Sequence, residues 1–127
     1  MSRKNISSGA QWEDIVGYSR AVQIGNVIEV SGTTAMRNGS LVGKGDLYTQ
    51  TKVCLEIIQE ALIKAGANMD HVIRTRIYVT DISKWEEAGK AHGDFFRNIK
   101  PATSMIQVAA LIDPDILVEI EATAILS

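Results

Sequence analysis

One cysteine in 127 residues excludes an intrachain disulfide. That residue, Cys54, falls inside an apolar helical pattern, which suits a packed thiol better than a nucleophile. With two prolines and no tract rich in Pro, Gly or Ser, the chain has no linker and no low-complexity segment, so residues 1–127 read as one domain. The two histidines, His71 and His92, stand at no carboxylate or cysteine spacing that makes a zinc site, and His92 lies on an apolar helical stripe. No metal and no cofactor are expected. No apolar run approaches the roughly 18 residues of a membrane span, and residues 1–10 lack the apolar stretch of a secretory signal. A cytoplasmic location without membrane partners is the expectation. Neither sign of charge dominates: 13 Lys and Arg against 15 Asp and Glu give a net charge of −2, without the basic excess of a dedicated nucleic-acid binder. Phosphate-cradling glycine loops are missing, and the Ser, His and Asp residues form no triad order.

What is present is an ordinary globular composition, 46% hydrophobic and 22% charged, enough to build a core. Ser19–Ile24 and Val27–Ser31 alternate in the strand manner across Gly25-Asn26, a pair suited to a tight hairpin turn. Asn38-Gly39 marks a second turn. Asp46 can cap a helix over Leu47–Ala65, whose apolar stripe runs through Leu47, Cys54, Leu55, Ile58, Ala61, Leu62 and Ala65, with Gly66 as the stop. A strand follows from His71 to Thr80. Ser83-Lys84-Trp85-Glu86 has capping-box spacing, and Trp85, Ala88, His92 and Phe95 give a shorter helix its buried face. Residues 100–125 form two further strands broken at Asp113-Pro114-Asp115.

This order is an α+β plan in which two helices cover one face of a single mixed sheet. Alternation then assigns the faces. Val118, Ile120, Ala122 and Ala124 point to the helices, and Glu119 and Glu121 point away. Ile73, Thr75, Ile77 and Val79 face the helices, leaving Arg74, Arg76 and Tyr78 opposite. On the next strand Ser104, Ile106 and Val108 are read as helix-facing, which puts Thr103, Met105 and Gln107 beside the arginines and glutamates. A face so mixed is too apolar to be simply wet and too charged to be core, as expected of an interface between copies with internally matched charges.

In Gly17-Tyr18-Ser19-Arg20-Ala21, Val30-Ser31-Gly32-Thr33, Phe95-Phe96, Pro101-Ala102-Thr103-Ser104 and Glu119-Ile120-Glu121-Ala122, the chain resembles the reactive intermediate deaminase family, also called the RidA, YjgF or UK114 family. The order and spacing of these segments carry the resemblance over about residues 15–126. It implies a chorismate-mutase-like two-layer subunit, assembled as a homotrimer with three ligand clefts between subunits. It also implies cofactor-free hydrolysis of reactive enamines and imines to a carbonyl compound and ammonia. By position, Tyr18 matches the family's cleft tyrosine, Ser31 and Gly32 with neighbouring Thr33 match the ligand-facing loop, and Glu119 matches the glutamate that positions water. The family's carboxylate-clamping arginine follows Pro-Ala directly, and here that position is Thr103. Gly89 stands where the family has a polar Asn, and Met105 where it has a Cys.

Read without the resemblance, Tyr18 can simply pack over the hairpin, Ser31-Gly32-Thr33 can be a turn, and Glu119 can be an interface ion-pair partner. Threonine offers one hydroxyl and no charge, so a substrate carboxylate needs another partner. Arg74 or Arg76 can supply it, or both can serve only to neutralise Glu119 and Glu121. Three functions follow. The first is hydrolysis of an imine or enamine other than the usual amino-acid-derived 2-imino acids. The alternative is a non-catalytic homotrimer binding a small carbonyl metabolite or a partner protein in its clefts. The third, ribonuclease or translation inhibitor, lacks the basic and aromatic stripe that RNA binding needs.

Overall fold

A computed structural model describes residues 1–127. Its centre is a six-stranded mixed sheet in the order β1 (Arg3–Ile6), β2 (Ala21–Ile24), β3 (Val27–Thr33), β8 (Val118–Ile125), β6 (Val72–Val79), β7 (Ala102–Gln107). β2 (Ala21–Ile24) and β3 (Val27–Thr33) form the expected hairpin, with Ile24 paired to Val27 across Gly25 at φ +59°. A small hairpin, β4 (Met36–Arg37) and β5 (Ser40–Leu41), turns at Asn38-Gly39. β6 (Val72–Val79) lies between antiparallel β8 (Val118–Ile125) and parallel β7 (Ala102–Gln107). Helices α2 (Leu47–Lys64) and α3 (Trp85–Phe96) pack together on one face.

α2 forms where its stripe and cap agree. The Asp46 carboxylate accepts the Thr49 N–H at 3.1 Å, and Gly66 ends the element in the left-handed region at φ +84°. Leu55, Ile58 and Leu62 are fully buried, each contributing about 2 kcal/mol of apolar transfer. Cys54 is buried beside them, its thiol facing the Val118 carbonyl. On β8 every second residue from Val118 to Ala124 is buried, as alternation requires, and the glutamates between them lie half-buried on the other face.

Four expectations change. The register between β6 and β8 slips between Val72 and Arg74, so Val72 takes the core position and Ile73 is 48% exposed. On β7 the faces are reversed: Thr103 pairs with Thr75 and Met105 with Ile77, so Thr103 and Met105 face the helices while Ser104 and Ile106 lie opposite. Short edge strands with mixed polarity, here Ala-Thr-Ser-Met-Ile-Gln, leave alternation nothing to decide on. The box read at Ser83 is not formed. Asp81 instead accepts the Ser83 N–H and caps a 3-10 turn over Ile82–Lys84, and α3 buries Ala88, Ala91 and Phe96, leaving Trp85 exposed. Finally, the irregular start contains β1 (Arg3–Ile6), paired to β2, and α1 (Gln11–Val16). Only Ile6 of β1 is buried, so neither element has a hydrophobic period to reveal it. No helix is long and apolar enough to cross a membrane.

Candidate functional site

β3 bulges at the residues of interest. Val30 pairs with Ala122 and Thr33 with Ile120, so Ser31 and Gly32 together oppose Glu121 alone. The extra residue leaves the ladder and opens backbone toward the glutamate face. Gly32 sets a close approach and not a backbone angle: a Cβ there would lie 2.9 Å from Cδ of Glu119, inside ordinary contact distance, so any side chain would displace the carboxylate. The Glu119 carboxylate therefore sits directly on the bulge.

The far wall comes from α1. Gly17, in the left-handed region at φ +87°, ends that helix and delivers Tyr18, which is 38% exposed. Glu13, buried, holds the preceding loop by accepting the Ser7 hydroxyl at 2.9 Å and the Ser8 N–H and hydroxyl. Tyr18, Ser31, Asn5, Arg3 and Asp14 line an open cavity of about 470 Å³. The Ser31 hydroxyl donates to the Ser19 carbonyl at 2.6 Å, so toward a ligand it acts as an acceptor.

The Glu119 carboxylate accepts no hydrogen bond within the chain. Burial, reinforced by Glu121, raises its carboxyl above the usual glutamate range, and nearby Arg20 pulls the other way. A half-buried carboxylate with free lone pairs and a raised pKa is suited to take a proton from water. Arg20 completes the group and is the residue that the sequence reading left without a role. Its Nη2 donates to the Gly32 carbonyl at 2.5 Å, while its Nε is buried without a partner. Sequence pattern carries no signal for it: a charge directly before the fully buried Ala21 is what strand alternation allows, and the Arg20 partner is a backbone carbonyl.

The remaining sequence candidates separate. Thr33 is fully buried with its hydroxyl on the Ser31 carbonyl, so it shapes the bulge and lines no cavity. Thr103 lies on the helix face, away from Glu119. Its hydroxyl is 2.6 Å from that of Thr75, which is also 2.9 Å from Nε2 of His92. Burial lowers the pKa of His92, and with Arg97 and Lys100 it borders a separate cavity of about 310 Å³. Arg74 and Arg76 do share the glutamate face, opposite Thr123 and Glu121. Arg74 donates to the Ser104 hydroxyl at 2.7 Å, and neither arginine forms an ion pair within the chain. No group of three or more His, Cys, Asp or Glu side chains is arranged to hold a metal ion.

A mixed sheet backed by two helices on one face defines a chorismate-mutase-like α+β subunit. The chain belongs to the RidA/YjgF/UK114 family: the family model described as Endoribonuclease L-PSP matches residues 9–126. It is similar to a RutC family protein of Pyrococcus abyssi, 34% identical over 126 residues and 98% of both chains. Among solved structures, a YjgF/YER057c/UK114 family member from Mycobacterium tuberculosis superposes with a TM-score of 0.90 at 50% identity, covering 98% of this chain and 100% of that one. A Rid family protein from Yersinia pestis, of unknown function, gives a TM-score of 0.87 at 30% identity over 98% of this chain and 100% of the other.

Proposed function

We propose that this chain hydrolyses reactive imines or enamines to a carbonyl compound and ammonia in the cleft of Tyr18, Ser31, Gly32 and Glu119. The single observation that carries the reading is the Glu119 carboxylate, half-buried against Gly32, with no partner in the chain and its pKa raised by burial and by Glu121. In the proposed reaction, Glu119 takes a proton from water as the oxygen attacks the imine carbon and returns it to the nitrogen to give the tetrahedral carbinolamine; the same carboxylate then carries the hydroxyl proton to the amine as ammonia leaves and the carbonyl forms. Ser31 accepts a hydrogen bond from the substrate N–H, and Tyr18 closes the outer wall. Thr103 carries no charge and its hydroxyl is held by Thr75, so that position offers a substrate carboxylate no clamp. The ribonuclease reading attached to the name of the family model finds less support, since a net charge of −2 offers phosphates little attraction.

We further propose that the subunit works as a homotrimer. The glutamate face supports this, since Arg76, Glu119 and Glu121 are partly buried there without ion pairs in their own chain. Hydrolysis is tested by generating an imine with an amino-acid oxidase in the presence of semicarbazide, which traps it. An active protein diverts imine from the semicarbazone to the free keto acid and ammonia. Unchanged partition with 2-iminopropanoate and with a bulkier aromatic imine overturns the proposal.

A further inference from the structure

We infer that Arg20 is the anion clamp of this cleft, receiving the carboxylate of an imine or carbonyl ligand whose reacting carbon lies at Glu119. The inference rests on the cleft reading above and names a charge where the position after Pro-Ala has none. Arg20 and Glu119 converge on one residue: the guanidinium bonds the Gly32 carbonyl at 2.5 Å, and the carboxylate fills the space where a Gly32 Cβ would stand. The two do not meet, because no N–O distance between them falls within 4 Å. A cation and a base set on the same bulge without touching each other suit a small ligand that carries its acid group next to its electrophilic carbon.

Donor accounting points the same way. Of the five guanidinium N–H groups, one is used on Gly32 and the Nε–H is sealed inside the protein. Nη1 makes no bond in the chain and is not sealed off. The acids around Arg20 are otherwise engaged or distant: Glu13 is occupied by Ser7 and Ser8, and Glu119 stands beyond contact. A half-buried arginine lacking its anion is costly, and a ligand carboxylate in bidentate or single-forked contact relieves that cost. Anchoring through Gly32 fixes the fork before the ligand arrives, so little side-chain entropy is lost on binding. Thr103 cannot share this role from the opposite face of the sheet.

The probes are 2-oxobutanoate and its uncharged analogue 2-oxobutanamide, titrated by NMR into wild type, Arg20→Gln, Arg20→Lys and Thr103→Val. Wild type is expected to favour the acid by about 10- to 100-fold, the range for a charge-assisted hydrogen bond. Arg20→Gln should erase that preference, Arg20→Lys should keep part of it, and Thr103→Val should leave it unchanged. A purely structural arginine would lower the melting temperature of Arg20→Gln while leaving the acid-to-amide ratio intact, and that result overturns the inference. So does a wild type that shows no preference. If Arg20→Gln does not fold, a crystal of the wild type soaked with 2-oxobutanoate decides: the carboxylate lies on Nη1 of Arg20, or the clamp is elsewhere. A protein that binds the acid through Arg20 yet hydrolyses no imine keeps the clamp and loses the hydrolase reading, so the two claims fail separately.

Discussion

Replacing Gly32 by alanine separates activity from stability in this site. The new Cβ would lie 2.9 Å from Cδ and 3.4 Å from Cγ of Glu119, against an ordinary contact range of 3.4–4 Å. The carboxylate must therefore retreat by about 0.5–1 Å. Gly32 is not in the left-handed region, so the backbone accepts alanine without strain, and what must move is the end of a flexible side chain. The expected loss of stability is small, about 1 kcal/mol, at the low end for overpacking. The expected loss of activity is large, because a misplacement of about 1 Å at a reacting group costs on the order of 100-fold. The Arg20 bond to the Gly32 carbonyl uses backbone and survives the change. Urea unfolding gives the first number and kcat/KM for imine hydrolysis the second. Activity within about threefold of wild type would refute the placement of the working carboxylate. A stability loss of several kcal/mol would show instead that Gly32 is needed by the fold.

Glu121→Gln removes the like charge that helps hold Glu119 protonated, so the acid limb of kcat/KM should move to lower pH; an unmoved limb would detach Glu119 from the titration. The same raised pKa fixes a sign for stability. The folded carboxyl binds its proton more tightly than the unfolded one, so its contribution is full below the unfolded pKa and is lost as pH rises through the folded value. Glu119→Gln should accordingly gain on wild type from acidic to neutral pH in urea titrations. Thr75→Val strips the buried hydroxyl that joins His92 to Thr103, with an expected cost of about 1–3 kcal/mol and faster amide exchange along β7. Burial, aided by Glu119, pushes the Cys54 thiol well up, so the native protein should not react with a thiol reagent until it unfolds.

Strong periods were readable and weak ones were not. α2 declared itself through Asp46, an unbroken apolar stripe and Gly66, and β8 through strict alternation around its two glutamates. The faces of β7, and Trp85 on α3, were misassigned for one shared reason: each element carries apolar residues on more than one face, so sequence alone cannot say which the fold buries. Ile73 was misplaced by a register slip that only pairing with β8 discloses. Within the site, Tyr18, Ser31, Gly32 and Glu119 were nameable because they stand in matched segments. The contact of Gly32 with Glu119 lies at the β3 bulge, a feature of pairing that leaves no mark in composition. Arg20 escaped because its partner is the Gly32 carbonyl, and backbone acceptors are invisible to side-chain pattern reading. Thr103 drew attention as a missing charge when its hydroxyl was already committed to Thr75 on the other face.

The most direct test of the central claim is ammonia release from freshly generated 2-iminopropanoate and from a bulkier cyclic imine, measured for wild type and Glu119→Gln at equal folded concentration. The cleft described here predicts acceleration by wild type of at least one of the two and a drop of about 10²- to 10⁴-fold in the variant, the span attributed to a general base. Equal rates for the two proteins would contradict the assignment of Glu119, and no acceleration by wild type would contradict imine hydrolysis itself.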